Sequence, residues 1–368
     1  MNFMKIARPT LLLDKEKCWK NIQEMVLKAK KFDLKFRPHF KTHQSAGIGK
    51  WFKDFEVNSI SVSSVDMAIY FFQNGWNDIT IAFPFNQLEI DEVNKLAQQI
   101  NLNVLLVSSG SIEFLKKNLK NKIGFYIEVD TGYHRSGIRA ENINEFDSVL
   151  KQSKDIPLLD FKGFLNHSGN SYHAKSQKEI SQIHHKSLQK MKELRSRYLS
   201  QFPQLELSIG DTPCCSLMND FTGIDEIRPG NFVFYDVMQY RLGSCSIGQI
   251  AVTLACPVVA KNQELKEIII YGGAVHLSKE YILQNGSKCF GYIVRLRKDG
   301  WEKPLKNTFI ISLSQEHGII KTTDEEFDKI HIGDIIGVLP VHSCLTANLM
   351  KQYLTLDEEI IPHMQKKC

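Results

Sequence analysis

The octapeptide Phe36–His43 contains the residue of this chain best suited to covalent chemistry, Lys41, which lies between two histidines, His39 and His43. Pro38 fits an extended segment better than the interior of a helix, so Lys41 is expected just after the end of a strand. A lysine shielded from water loses its proton more easily, and Schiff-base chemistry requires a neutral amine. The alternative is a solvated lysine in a basic loop, because most lysines are surface residues.

Three clusters of glycine, hydroxyl and aromatic or cationic residues follow strand-like segments and suggest phosphate binding. They are Gly210 with Thr212, Arg228 with Gly230 and Asn231, and His167 with Tyr172. Backbone N–H groups at glycine turns and helix N-termini bind anions well. Each cluster alone is compatible with an ordinary turn. If all three lie on one face of the fold, they predict a phosphate site there.

A compact charged turn follows another strand-like segment. It contains Glu128, Asp130 and Arg135, with Gly132 and Gly137 between and after them. The turn is either part of a binding site or a structural cluster of ion pairs, and the residues alone leave both interpretations open.

His342 and Cys344 are predicted to form a metal pair. They are two positions apart after an apolar segment, and on a strand they would point to the same side. Imidazole and thiolate are typical zinc ligands, and two protein ligands leave positions open for water or substrate. The alternatives are an inert buried cysteine, or a structural zinc protein, which needs about four protein ligands.

Strand-like and helix-like segments alternate over the first 230 or so residues. The polar clusters named above follow one strand after another. A (β/α)8 barrel gathers all such strand ends on one face, whereas an open doubly wound sheet gathers only those near its switch point. We therefore predict an α/β fold with a TIM-like barrel over residues 14–243.

The remaining chain has few helix-length patterns between its strand-like segments and is predicted to form a mostly β domain from residues 1–13 and 244–368. Short turns separate its strand-like segments. These segments are Ile250–Val259, Lys266–Tyr271, Lys288–Leu296, Phe309–Leu313 and Ile335–Leu339.

The composition is that of a soluble globular protein and argues against several functional classes. Among 368 residues, 43% are hydrophobic and 24% charged, with a net charge of +5. The basic residues are dispersed, which makes a nucleic-acid role unlikely, and no apolar run has membrane-spanning length. Eight cysteines without a disulfide-like framework, and an opening Met1–Lys5 without an apolar signal core, predict a cytoplasmic protein.

The ordered set of motifs resembles the D-serine dehydratase and D-threonine aldolase family, the pyridoxal-phosphate enzymes of the alanine-racemase type. The motifs, over both predicted domains, are Arg37–His43, Glu128 to Gly137, Gly163 to Gly169, Gly210–Pro213, Arg228–Asn231, Glu316–Gly318 and His342 with Cys344.

The resemblance implies specific roles for these residues. Lys41 would form a Schiff base with pyridoxal phosphate, beside His39. Gly210, Thr212, Gly230 and Asn231 would surround the phosphate, and His167 and Tyr172 would line the ring. Arg135 would lie near the phenolic oxygen and Arg228 would face the pyridine nitrogen. His342 and Cys344 would hold zinc, with manganese or magnesium as alternatives. Family members are typically homodimers, with a site built from the barrel of one chain and the β domain of the other.

The same resemblance implies a lyase acting on 3-hydroxy D-amino acids. Elimination would convert D-serine to pyruvate and ammonia, and Cys344 favours this outcome slightly. Aldol cleavage of D-threonine to glycine and acetaldehyde is the alternative. An amino-acid racemase fits less well, because it needs a second base and no metal, whereas this chain offers a metal pair. A non-catalytic carrier of pyridoxal phosphate also fits less well, because such proteins resemble the barrel alone and this chain has a second domain.

Overall fold

The computed structural model describes residues 6–365. The opening Met1–Lys5 segment, with its prediction of no signal core, and the end of the second predicted domain lie outside the described residues. Within that range there are 21 strands: β1 (Thr10–Leu13), β2 (Lys35–Phe36), β3 (Ile60–Val62), β4 (Asp78–Pro84), β5 (Asn101–Leu106), β6 (Ile123–Asp130), β7 (Ile138–Arg139), β8 (Leu159–Asn166), β9 (Glu206–Ile209), β10 (Glu226–Ile227), β11 (Val252–Asn262), β12 (Glu267–Tyr271), β13 (Ile282–Gln284), β14 (Ser287–Cys289), β15 (Gly291–Arg297), β16 (Gly300–Trp301), β17 (Phe309–Leu313), β18 (His317–Lys321), β19 (Ile335–Pro340), β20 (Gln352–Thr355) and β21 (Ile360–Pro362).

The same range contains twelve α-helices: α1 (Lys15–Lys31), α2 (Ala46–Lys53), α3 (Val65–Gln73), α4 (Ile90–Ala97), α5 (Gly110–Asn118), α6 (Ile143–Ser153), α7 (Gln177–Tyr198), α8 (Thr212–Leu217), α9 (Val237–Leu242), α10 (Ala274–Leu277), α11 (Asp324–Lys329) and α12 (Ser343–Met350). Among the described residues, no helix is both long and apolar enough to cross a membrane.

A parallel barrel forms the first of two compact units, which comprises Glu24–Lys41 and Gly49–Gly230. Its strand order is β2-β10-β9-β8-β6-β5-β4-β3, and every neighbouring pair is parallel. A bridge between His39 and Ser61 joins the two ends of this order. The predicted TIM-like barrel is confirmed. All eight residues of β6 are buried, as expected for a parallel strand covered on both faces.

Three helices between β2 and β10 were not predicted, α2, α6 and α8. The sequence of α2 contains Gly47 and Gly49, which disfavour a helix by about 1 kcal/mol each. Packing overrides this propensity, because a Cβ at Gly49 would lie only 3.1 Å from the ring of Phe40. The small residue therefore allows the helix to approach the buried aromatic cluster.

Among the described residues, the second unit comprises 6–23, 42–48 and 231–365 and is rich in antiparallel sheet. Strands β11, β12, β18, β17, β15 and β19 pair in a closed ring, and β1, β20 and β21 extend the sheet from β11. The predicted mostly β second domain is confirmed in this respect, while its bounds at residues 13 and 243 stay a prediction.

The strand predicted over Lys288–Leu296 is wrong in one respect, because the segment divides at Phe290. Strand β14 pairs with β13, whereas β15 pairs with β19, so the two halves have different partners. Phe290 is buried and its N–H donates to the carbonyl of Ile310 at 2.9 Å, which holds the break in place.

Two histidines are buried in the second unit, His43 and His363. His363 Nδ1 lies 2.8 Å from the carbonyl oxygen of Met364, and the His43 Nδ1 accepts from the Ser45 N–H at 3.1 Å. Burial lowers the pKa of His363 to about 4 and that of His43 to about 3, so both rings are neutral at pH 7.

Replacing Gly163 by alanine is expected to destabilise the barrel by about 3 kcal/mol or more, because strain and overlap add there. Gly163 has φ +144°, and a Cβ would lie 1.9 Å from the carbonyl oxygen of Glu206. The matched control is Gly132→Ala. Gly132 has φ +135°, and among the described residues no atom lies within 4 Å of its Cβ position. Urea unfolding should show the larger loss for Gly163→Ala, and equal losses would contradict the overlap.

The free energy of unfolding is expected to fall as the pH decreases from about 6.5 towards 4. Over this range the histidines are protonated in the unfolded chain, whereas the buried rings of the folded protein stay neutral. A folded pKa below the unfolded one means that this stability is present above pH 6.5 and lost on acidification. His363→Asn should reduce the slope of unfolding free energy against pH by at most about 1.4 kcal/mol per unit. Urea titrations at several pH values measure this slope, and an unchanged slope would refute the assignment.

Candidate active site

Lys41 lies in a turn directly after the residues that close the barrel. The N–H of His39 donates to the carbonyl of Pro229, and the N–H of Phe40 donates to the carbonyl of Ser61, both at 2.9 Å. The ring of Phe40 is fully buried, with the Trp76 ring centroid at 5.0 Å. Backbone bonds and aromatic packing therefore hold the chain in place immediately before Lys41.

Positive charges converge on two enclosed histidines of the barrel, His39 and His167. Burial lowers the pKa of each well below its usual range, and the charge of Lys41 lowers it further. Arg135 and Arg228 act on both rings in the same direction. The two imidazoles are therefore neutral at pH 7. The surrounding cations favour an anionic ligand, and pyridoxal phosphate carries the matching negative charge.

The strand-end clusters of the barrel meet around His167. Its Nδ1 lies 2.5 Å from the carbonyl oxygen of Gly210, and its ring centroid is 6.2 Å from that of Tyr172. The hydroxyl of Tyr172 accepts from the N–H of Thr212 at 3.1 Å. His167, Tyr172, Gly210 and Thr212, which were separate signals in the sequence, are thus one cluster in the structure.

Gly210 and Thr212 fit the predicted role in holding a phosphate. A Cβ at Gly210 would lie 3.0 Å from the carbonyl oxygen of Arg228, so a larger residue would crowd the backbone at this strand end. The hydroxyl of Thr212 is buried and has no hydrogen-bond partner among the described residues. Such an unsatisfied donor matches a ligand oxygen. Gly230, the last residue of the barrel unit, is buried and follows the end of β10 by three residues.

Arg228 is buried and rigidly held. Its Nε donates to the hydroxyl of Ser208 at 2.6 Å, and its Nη2 donates to the carbonyl of Asn166 at 2.8 Å. Burial lowers the pKa of Arg228, an effect that the charge of Glu226 opposes. These bonds use Nε and Nη2. The third nitrogen, Nη1, takes part in neither bond and suits a contact with a ligand.

Arg135 is about half exposed, with a side-chain accessibility of 49%, and lies 3.8 Å from Glu128. Its guanidinium is 5.3 Å from the centroid of the Tyr133 ring. Glu128 is buried and accepts from the hydroxyl of Ser136 at 2.8 Å; burial raises its pKa. The charged turn therefore has a structural part, the buried Glu128, and this residue supports the candidate binding residue Arg135.

Sequence reasoning missed the role of Asp211. Its Oδ1 accepts from the N–H of Cys214 at 2.8 Å and from the hydroxyl of Ser171 at 2.9 Å, so it caps α8 and ties this helix to a neighbouring turn. The signal was present in the sequence, because Asp followed by Thr and Pro is typical of a helix start.

His342 and Cys344 lie in the second unit, where the predicted strand geometry is wrong. Strand β19 ends at Pro340, His342 is the residue before α12, and Cys344 lies in the first turn of that helix. The side chains nevertheless meet. Burial lowers the pKa of His342, but a hydrogen bond and the charge of Cys344 outweigh this effect and raise it to about 9. The turn into the helix, rather than the alternation of a strand, brings the pair together.

The pair fits a metal ion. The Nδ1 of His342 is buried without a hydrogen-bond partner among the described residues, and the sulfur of Cys344 interacts with the same imidazole. No cluster of three or more such ligands occurs in residues 6–365. Two protein ligands match an open site better than a structural zinc site.

Asn231 belongs by its side chain to this second group. Its Nδ2 donates to Asp236 Oδ2 at 2.7 Å and approaches the sulfur of Cys344 at 3.5 Å. That Asn231 lies at the phosphate stays a prediction. Because its side chain is bonded to Asp236, its backbone would have to contact the phosphate.

Comparisons with known proteins agree with this arrangement. Residues 13–237 match the family model described as alanine racemase, N-terminal domain, and residues 251–356 match a putative serine dehydratase domain. The chain is 28% identical to D-serine dehydratase of Dictyostelium discoideum over 92% of this chain and 90% of that protein.

Two solved structures share the fold. D-threo-3-hydroxyaspartate dehydratase from Delftia sp. HT23 has a TM-score of 0.89 at 19% identity, over 99% of both chains. D-threonine aldolase from Filomicrobium marinum has a TM-score of 0.81 at 17% identity, over 98% of this chain and 95% of that one. Because the matched family model covers residues 13–237, more than half of the chain, the chain belongs to the alanine racemase N-terminal domain family, and its predicted resemblance to the D-serine dehydratases and D-threonine aldolases is confirmed.

Proposed function

We propose that this protein is a pyridoxal-phosphate- and metal-dependent lyase that converts D-serine to pyruvate and ammonia. The observation that carries the proposal is the cationic cluster of the barrel, in which Lys41, Arg135 and Arg228 all act on His39 and His167. The name of the Dictyostelium discoideum relative, D-serine dehydratase, supports the choice of substrate.

The barrel residues would hold pyridoxal phosphate in a defined way. Lys41 would carry the cofactor through its Nζ. Gly210 and Thr212 would bind the phosphate, and the backbone of Gly230 and Asn231 would complete its surroundings. His167 and Tyr172 would line the ring, with Arg228 at its nitrogen and Arg135 at its phenolic oxygen. The cofactor supplies an electron sink for the charge left at the substrate α-carbon.

Lys41 would also act as the base. Its Nζ, when neutral, would accept the α-proton of the bound substrate. The cationic surroundings favour the neutral amine, because each nearby positive charge disfavours another. His39 and His167, neutral at pH 7, add no further positive charge, and Arg228 would donate to an unprotonated ring nitrogen.

His342 and Cys344 would hold the metal. A thiolate ligand favours zinc over magnesium or manganese, which prefer oxygen. Zinc supplies a Lewis acid for the β-hydroxyl of the substrate. A solved D-threo-3-hydroxyaspartate dehydratase in which one cysteine is replaced by alanine is in a metal-free form, which supports a cysteine ligand in such proteins.

Aldol cleavage of D-threonine is the second candidate function. The observation in its favour is the shared fold with the Filomicrobium marinum D-threonine aldolase. The thiolate of Cys344 favours elimination slightly, as do the names of the relatives similar over most of the chain. The homodimer implied by the resemblance and the cytoplasmic location predicted from the cysteines and the opening segment belong to the same proposal.

The product formed from D-threonine separates the two reactions. Purified protein with pyridoxal phosphate and zinc is expected to form 2-oxobutyrate and ammonia, measured by keto-acid and ammonia assays. L-Threonine is the control and should give neither product. Glycine with acetaldehyde would instead establish the aldolase, and no product from D-threonine, D-serine or D-3-hydroxyaspartate would refute a lyase.

Lys41→Ala is expected to abolish the visible absorbance of protein-bound pyridoxal phosphate and to reduce turnover below detection, because the covalent attachment and the base are lost together. Lys50→Ala is a matched control, since Lys50 is an exposed lysine of α2 in the same unit. Absorbance spectra of the dialysed proteins measure the bound cofactor. A Lys41→Ala variant that retained the wild-type band would disprove the assignment.

A further inference from the structure

A fully buried carboxylate, Asp236, gathers the residues around Cys344 in the second unit. Its Oδ2 accepts from Asn231 Nδ2 at 2.7 Å, from the N–H of Ser343 at 3.0 Å and from the hydroxyl of Ser343 at 3.2 Å. Its Oδ1 accepts from the N–H of Gln239 at 2.9 Å and caps α9. Oδ1 thus caps α9, and Oδ2 binds Ser343, the residue next to Cys344.

Asp236 determines which way the amide of Asn231 faces. A carboxylate can only accept, so the group at 2.7 Å from Oδ2 must be the NH2 and not the carbonyl of the amide. The NH2 also approaches the hydroxyl of Ser343 at 3.1 Å and the sulfur of Cys344 at 3.5 Å. A flipped amide would place its oxygen against the carboxylate, so the donor is fixed towards the sulfur.

The sulfur of Cys344 has a second polar neighbour, the hydroxyl of Thr42 at 3.3 Å. Thr42 and Asn231 are both buried. The Asn231 NH2 donates to this sulfur, whereas the Thr42 hydroxyl can donate to it or accept from it. A donor directed at the sulfur stabilises its thiolate, which is the form that binds a metal. The Oδ1 of Asn231 is buried and unpartnered among the described residues, and it is available to accept from a water molecule on the metal.

We infer that Asn231, held by Asp236, is a positioning residue of the metal site, which orients the Cys344 thiolate and strengthens its binding of zinc. The inference rests on the metal-dependent function proposed above. It assigns the Asn231 side chain to the metal site rather than to the phosphate. Residues that orient a metal ligand typically contribute about 10-fold to 100-fold to metal affinity.

Two substitutions test the inference. Asp236→Asn preserves volume and the capping oxygen, but its NH2 would face the NH2 of Asn231, which breaks the contact that fixes the amide. Asn231→Ala removes the donor itself. Cys344→Ala gives the reference for loss of a ligand. Zinc affinity is measured on the pyridoxal-phosphate-loaded protein by competition with a chromophoric chelator, and the sulfur-to-cobalt absorbance of the cobalt-substituted protein reports the metal–sulfur bond.

The same unit provides matched controls. Asn21 is buried and donates to the carbonyl of Gln249 at 2.9 Å, so Asn21→Ala removes a comparable buried amide. Asp14 caps α1 through the N–H of Lys17 at 3.0 Å, so Asp14→Asn alters a comparable capping carboxylate. Neither residue is placed at the metal by the structure or by the proposed function.

Both test variants are expected to bind zinc about 10-fold to 100-fold more weakly than wild type, with an altered cobalt–sulfur band, whereas both controls keep the wild-type values. Circular dichroism verifies folding. If either variant fails to fold, Asn231→Ser decides, because its shorter hydroxyl can still donate to Asp236 while the donor to the sulfur is lost. Wild-type affinity and an unchanged band in the folded variants would overturn the inference.

The outcome is separable from that of the proposed function. If the variants bind zinc more weakly but no keto acid forms from any D-amino acid, the inference stands and the proposed activity fails. If keto acid forms and the variants bind zinc as tightly as wild type, only the inference fails. A wild-type protein that binds no zinc would overturn the inference together with the metal assignment.

Discussion

The barrel site depends on a buried chain of charged and polar groups that fixes Arg228. Glu226, almost fully buried, accepts from Arg37 at 2.7 Å and from the hydroxyl of Ser208 at 2.6 Å. Ser208 in turn accepts from Arg228. Taking such charges out of water costs several kcal/mol unless partners compensate them, so the chain must form as a whole or not at all. Arg228 is therefore rigid before any ligand arrives.

This constraint explains why the site is cationic without being disordered. Mutual repulsion of positive charges would spread flexible side chains apart. Here Arg228 is fixed by the network below it, and Lys41 follows residues that are anchored by backbone bonds and by the buried ring of Phe40. The rigid placement leaves a positive field that an anionic cofactor satisfies, at a low further cost in ordering.

The second unit also buries a charged group, but here it is a carboxylate, that of Asp236. The buried carboxylate of Asp236 is compensated by N–H and O–H donors rather than by a cation. Because its two oxygens serve two different segments, the start of α9 and the start of α12 are held together. The residues before and within the first turn of α12, His342 and Cys344, then have a defined direction.

The sequence by itself determined the barrel, the mostly β second unit and the identity of the chemical groups. Alternating segments with polar residues at successive strand ends allow few architectures, and the ordered motifs carry the family resemblance. Tertiary structure alone decided that Arg135 is supported by a buried Glu128, that Asp211 is tied to Ser171, and that Asn231 directs its side chain to Cys344. It also placed His342 and Cys344 at a helix start. Such partners are distant in sequence or depend on one turn of backbone, and residue spacing contains no information about either.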